Sequence, residues 1–286
     1  MSVLSIVERH DVLQIPGAYD ALSARLISQA GYPLVYFSGL GNEASDLGVP
    51  DLGLTTASEL VGRASNIVQG LDVPLICDAD TGFGGHVNVA RTVRQFEAAG
   101  VGAIHLEDQS FPKRCGVLEG KQVIAAESFA EVIETALAAR RGDGLCIIAR
   151  SDAKAAEGVE GVIERLRLYV EAGAQMAMLG DFYTLDEYAR IAAALSVPLI
   201  AVAADRDHAD RQPDFTRAQW REAGVRLVLY WHLPLFAALA AVREAVEALR
   251  HDGSTEAVPW VAGYDDYAEV TDLEDWLRLG DGPSSD

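Results

Sequence analysis

Eight short apolar runs, each followed by a stretch of helical periodicity, constrain the fold of this chain more than any other feature. The runs lie at 12–15, 34–37, 73–77, 103–106, 145–149, 176–179, 198–202 and 226–230. They are continuous and rich in Val, Ile and Leu, the pattern of parallel strands buried on both faces. Amphipathic segments fill the intervals at 18–30, 56–69, 87–99, 128–140, 159–172, 185–195 and 216–223. Gly31, Gly100, Gly173 and Gly224 close four of them just ahead of the next strand, where glycine commonly ends a helix. Repeated strand–helix units in this number predict an α/β fold, a (β/α)8 TIM-type barrel. An open doubly wound sheet is the competing architecture, but no G-x-G-x-x-G follows the first strand. An apolar helix at 233–249 leads into an acidic tail carrying Trp260, Tyr264, Tyr267 and Trp276. We expect a barrel domain over 1–250 and a helical, acidic tail over 251–286. The tail aromatics should dock on the barrel or on a neighbouring subunit, and residues 280–286 should be disordered.

Charge and cysteine usage narrow the partners. With 43 acidic and 23 basic side chains the net charge is −20, which repels phosphate backbones and argues against nucleic acid. No apolar run reaches the length of a membrane span, and the first residues lack the basic-then-apolar pattern of a signal peptide. Three cysteines form no disulfide framework, so a reduced, cytoplasmic setting is expected. Cys77 and Cys146 lie in strand-like runs and should be core residues.

In such a barrel, function sits at the carboxyl ends of the strands. The third strand leads into Asp78-Ala79-Asp80-Thr81-Gly82-Phe83-Gly84-Gly85 and the fourth into Glu107-Asp108. Carboxylates on one rim suit a hard divalent cation, and the glycines would let backbone pass close to a ligand. Arg150 follows the fifth strand, where a guanidinium could hold a substrate carboxylate or pair with Asp152 or Glu107. Asp152 and Asp181 are candidate helix caps. His105 reads as a hydrogen-bonded core residue; His232, at the end of strand eight, is open to either role. Cys115 follows Lys113 and Arg114, whose charge would lower its pKa. Gly116 and Gly120 beside it suggest a mobile loop able to close over a site.

Several motifs together resemble the isocitrate lyase / phosphoenolpyruvate mutase superfamily, especially its 2-methylisocitrate lyase-like branch. They are Pro16 to Ala24, Tyr36-Phe37-Ser38-Gly39, Pro50 to Leu54, the Asp78–Gly85 stretch, Glu107-Asp108-Gln109, Phe111-Pro112-Lys113-Arg114-Cys115-Gly116 and Ile148 to Ala153. The resemblance implies a barrel with a helix swapped between subunits, usually as a dimer of dimers. It implies Mg²⁺, with Mn²⁺ as an alternative, held by Asp78 and Asp80, with Glu107 and Asp51 acting through water. Ser38, Gly39, Leu40 and Arg150 match positions that hold a small 2-hydroxy or 2-oxo carboxylate, and Cys115 matches an acid/base on a gating loop. The implied activity is carbon–carbon cleavage through an enolate.

The chain departs from the lyase pattern where Val117, Gly180, Val202 and Tyr230-Trp231-His232-Leu233 stand in place of polar groups that hold the distal carboxylates of a tricarboxylate. Three alternatives follow. One is an oxaloacetate decarboxylase-like enzyme using His232. Another is a carboxyphosphonoenolpyruvate or phosphoenolpyruvate mutase-type enzyme of P–C bonds. The third is a catalytically silent barrel used for binding.

Overall fold

In a computed structural model that describes residues 1–281, eight parallel strands close into a barrel in sequence order. They are β1 (Leu13–Ala18), β2 (Val35–Phe37), β3 (Leu75–Asp78), β4 (Ala103–Glu107), β5 (Cys146–Ser151), β6 (Met176–Leu179), β7 (Leu199–Val202) and β8 (Val225–Tyr230). β8 pairs with β1, so the sheet has no open edge and the doubly wound alternative is excluded.

Strand side chains alternate between two apolar regions. Ile76, Met176, Met178, Ile200 and Leu229 fill the interior. Cys77, Ala177, Leu179 and Val228 face the helices, where Phe96, Phe129 and Trp220 complete the outer layer. Each fully buried Ile, Leu, Val, Met or Phe among them contributes roughly 1.5–3 kcal/mol. Helix starts follow local chemistry: Thr56 with Glu59, Thr184 with Glu187 and Thr216 with Gln219 form reciprocal capping boxes. Gly31, Gly100, Gly173 and Gly224 have φ of +85°, +80°, +104° and +74°, a region that other residues rarely enter.

A helix not anticipated from the sequence, Val3–Arg9, buries Val3, Ile6 and Val7 in the interior cluster. Val3 packs beside Gly102 and Pro74, ahead of β4 and β3, so it plugs the amino-terminal end of the barrel. The opposite end remains as the mouth.

The chain divides into two compact units, Met1–Leu233 and Pro234–Asp286, so most of the apolar helix assigned to the barrel by sequence lies in the second unit. Its helices are Leu233–Asp252, Tyr264–Val270 and Leu273–Gly280, and none has a buried residue. Trp260, Tyr264, Tyr267 and Trp276 are exposed. Gly280 ends a helix rather than beginning a disordered end, and 282–286 lie outside the described residues. Among the described residues no helix is long and apolar enough to cross a membrane.

Candidate active site

The last residues of β3, β4 and β5 set the geometry at the mouth. Asp78 ends β3, Glu107 ends β4 and Arg150 is the penultimate residue of β5, in register with Glu107. Asp80 follows β3 by two residues and is held at φ +46°, a strained conformation for a non-glycine residue. Its N–H donates to Asp78 Oδ1 at 3.0 Å, and its carbonyl accepts from the Glu107 N–H at 2.9 Å. The turn is thereby stitched to β4. Gly82 and Gly84, at φ +86° and +138°, shape the turn into the next helix, where an added Cβ would strike Val89 or Asn88 at 2.7 Å.

Asp78, Asp80 and Glu107 are all buried, with one oxygen of each within 4.8 Å of the others. Lys113 Nζ lies 2.7 Å from Asp80 Oδ1 and also pairs with Asp51. Arg150 Nη1 lies 3.0 Å from Glu107 Oε2, whereas the buried Glu107 Oε1 has no donor among the described residues. Burial pushes the Asp80 carboxyl up to about 7 against the pull of Lys113, and drives Glu107 well above the ordinary range despite Arg150. Burial also disfavours charge on Asp78, but His105, Lys113 and Arg150 outweigh it and hold this carboxyl low. His105, with Nε2 3.2 Å from the Tyr36 hydroxyl and Nδ1 3.6 Å from Asp78, is brought down to about 4 by burial.

Asp51 is anchored indirectly. Buried Glu43 accepts from the N–H groups of Leu52 at 2.9 Å and Thr55 at 3.0 Å, which fixes the loop carrying it. Its carboxylate stands outside the three-acid set and is engaged by Lys113.

Other acids expected at the rim or as caps serve different ends. Asp108 accepts from Ser151, Tyr169 and the Asp152 N–H and faces Arg165, forming a structural network. Asp152 caps no helix; it takes a two-point grip from Arg150 at 2.8 and 3.1 Å and an ion pair from Lys121 at 3.1 Å. Burial opposes its charge, but Arg150 and Lys121 overcome it and hold its carboxyl far below the usual range. Asp181 likewise pairs with Lys121, at 2.6 Å.

The loop bearing Cys115 is folded over the mouth. The Cys115 N–H donates to Asp51 O at 3.2 Å, Lys121 Nζ to Gly116 O at 2.7 Å and Arg211 Nη1 to Val117 O at 3.2 Å. An added Cβ on Gly116 would lie 2.4 Å from Gly180 O, so only glycine permits this approach. Cys115 is buried, and burial pushes its thiol up to about 12, with Asp51 adding to the shift. This corrects the expectation of a lowered pKa: the Lys113 ammonium is committed to Asp51 and Asp80, and desolvation dominates.

Beneath the loop is a cavity of about 40 Å³, lined by Tyr36, Ser38, Asp51, Asp78, Cys115 and Arg150 together with Leu40, Val117, Met178, Val202 and Trp231. Of the residues expected to hold substrate, Ser38, Leu40 and Arg150 line it. Gly39 abuts the site, since a Cβ there would lie 2.6 Å from Asp78 Oδ2. His232 does not line it; its ring packs against Trp231 with centroids 4.9 Å apart. Tyr36 in the lining and Lys121 beside it were given no role from the sequence, and Lys113, expected to act on Cys115, pairs with Asp51 and Asp80 instead.

The family model for phosphoenolpyruvate phosphomutase matches residues 4–250. A 2-methylisocitrate lyase of Halalkalibacterium halodurans is 36% identical over 252 residues, 88% of this chain and 82% of that protein. A solved structure of oxaloacetate acetylhydrolase with the inhibitor 3,3-difluorooxalacetate superposes with TM-score 0.91 at 33% identity, covering 100% of this chain and 97% of the other. Phosphonopyruvate hydrolase solved with oxalate and Mg²⁺ superposes with TM-score 0.85 at 29% identity, covering 99% of each chain. On this match over most of its length, and on the closed barrel that carries the acids, the chain belongs to the isocitrate lyase / phosphoenolpyruvate mutase superfamily.

Proposed function

We propose that the protein is a Mg²⁺-dependent carbon–carbon bond lyase acting on a small 2-hydroxy or 2-oxo carboxylate. The observation that carries this reading is the buried set of Asp78, Asp80 and Glu107 at the strand ends. The residues fit the ion. Their ligand atoms are all hard oxygens, Glu107 Oε1 accepts no hydrogen bond among the described residues, and burial weakens the acidity of Asp80 and Glu107 despite two nearby cations. Asp78 and Asp80 would hold Mg²⁺ directly, with Glu107 and Asp51 acting through water; Mn²⁺ would suit the same donors. When bound, such an ion polarises the substrate oxygens and steadies negative charge that develops as the bond breaks.

The chain's own groups would do the rest. Arg150 and the turn opened by Ser38, Gly39 and Leu40 would orient the substrate carboxylate. The Cys115 thiol, held protonated, is in the form needed to give a proton to the carbanion left on the departing fragment. The overlying loop would keep water away meanwhile. Cys115 lines the cavity and His232 does not, which favours this reading over a His232-dependent decarboxylase. Arg150 is the only cation among the described lining residues, which disfavours a phosphonate substrate. The acid cluster, costly to bury without a ligand, disfavours a silent barrel.

The exposed residues Phe236, Leu239, Val242, Val246 and Leu249 on one helix support a homo-oligomer, in keeping with a dimer of dimers. Three free cysteines suit a reducing, cytoplasmic setting.

The test is an NMR-monitored turnover screen of methylisocitrate, dimethylmalate, oxaloacetate and phosphonopyruvate, with and without Mg²⁺. We expect a hydroxy acid to be split into a 2-oxo acid and a second acid, with activity lost on chelation. Turnover of phosphonopyruvate alone, or undiminished cleavage in chelator, would refute the reading.

A further inference from the structure

The lining of the cavity beneath the loop divides by chemistry. Tyr36, Ser38, Asp51, Asp78, Cys115 and Arg150 bring polar groups to it, and Val117, Met178, Val202 and Trp231, with Leu40 beside Ser38, bring an apolar wall. The second set is one apolar cluster: Met178, Val202 and Trp231 are buried members, and Leu40 and Val117 pack against it. The polar groups of this wall are already used. The Trp231 indole N–H donates to Ala203 O at 2.9 Å, and Val202 O accepts from Gln212 Nε2 at 2.8 Å. Arg150, the only lining cation among the described residues, is shared by Glu107 and Asp152. Lys121 is committed to Asp152 and Asp181. A side chain at Gly180 could not add a polar group without disturbing that arrangement, because its Cβ would lie 2.3 Å from Asp152 Oδ1 and 2.6 Å from Arg150 Nε.

Resting on the metal-lyase reading above, we infer that this wall receives an alkyl substituent. The substrate is therefore a compact hydroxy or oxo acid with at most two carboxylates, not a tricarboxylate. A further carboxylate against the wall would lose its water and meet no uncommitted cation among the described lining residues, a costly burial. An alkyl group of the same size is transferred there favourably.

Two ligands separate the possibilities. Isocitrate and 3-isobutylmalate share a malate core and differ only in a carboxymethyl or isobutyl branch. Each is titrated into the Mg²⁺-loaded protein by calorimetry, with oxalate as the control for the metal end. We expect 3-isobutylmalate to bind at least about tenfold more tightly than isocitrate. Val202→Asn and, separately, Val117→Asn should reduce that ratio by about fivefold while leaving oxalate within about twofold. Isocitrate binding as tightly as 3-isobutylmalate, with oxalate binding intact, overturns the wall inference alone. So does a ratio unmoved in both variants. Failure of oxalate to bind the wild type with Mg²⁺ overturns the metal reading and this inference with it.

Discussion

Strands β3, β4 and β5 bring Asp78, Glu107 and Arg150 to the mouth, whereas β6, β7 and the residue after β8 bring Met178, Val202 and Trp231. Both halves use the same backbone geometry, and each projects side chains into one cavity. They differ in what those side chains can do. The first half concentrates charge that burial alone would not tolerate, held by Lys113, Arg150 and Lys121. The second half offers only apolar surface. On this account the first half performs the chemistry and the second selects what is brought to it, so substitutions should act very unequally.

The largest effect belongs to the charged half. Asp78→Ala would remove a proposed Mg²⁺ ligand and the acceptor of the Asp80 N–H, so calorimetry should detect no Mg²⁺-dependent oxalate binding, and turnover should fall about a thousandfold. A variant retaining near-normal Mg²⁺ affinity would break the comparison at its base.

Cys115→Ser comes next. Loss of the proposed proton donor should cut kcat about a hundredfold while leaving the affinity for Mg²⁺ and oxalate within about twofold. The thiol also gives a pH signature in the metal-free protein. Its folded value, about 12, lies above the ordinary 9.0, so the folded state binds this proton more tightly. The associated stability is complete below about pH 9 and fades as pH rises toward 12. Melting temperature should therefore fall less steeply with alkaline pH in Cys115→Ser than in the wild type. Equal slopes would remove Cys115 from the account of the buried loop.

How much of this could be read from the sequence depended on distance along the chain. The strands were legible because each is a continuous apolar run, and the capped helices because Thr56–Glu59, Thr184–Glu187 and Thr216–Gln219 carry their signal within one turn. Asp78, Asp80 and Glu107 were legible because strand ends are fixed by the fold. Lys113 and Lys121 were not, since their partners Asp51 and Asp181 lie 62 and 60 residues away. Cys115 was misjudged for a related reason: neighbours in sequence suggested positive charge, but Lys113 turns to the acids and burial decides the thiol. The seven-residue helix Val3–Arg9 is too short to show a period.

Gly116→Ala tests the closed loop between the halves. Its Cβ would meet Gly180 O at 2.4 Å, so the loop must lift. We expect KM to rise about tenfold with little change in melting temperature. An unchanged KM would mean that closure does not depend on this contact. The smallest effect is expected in the apolar half: Met178→Leu conserves volume and should change affinity for an alkyl-bearing acid by only about two- to threefold. A loss comparable to that of Asp78→Ala would erase the distinction between the halves.

The central claim is most directly tested by a crystal structure grown with Mg²⁺ and oxalate. The account predicts an ion held by Asp78 and Asp80, with Glu107 reached through water and oxalate extending to Arg150 and the Ser38–Leu40 turn. Acids still paired only with Lys113 and Arg150 at saturating Mg²⁺, and no ion between them, would contradict it.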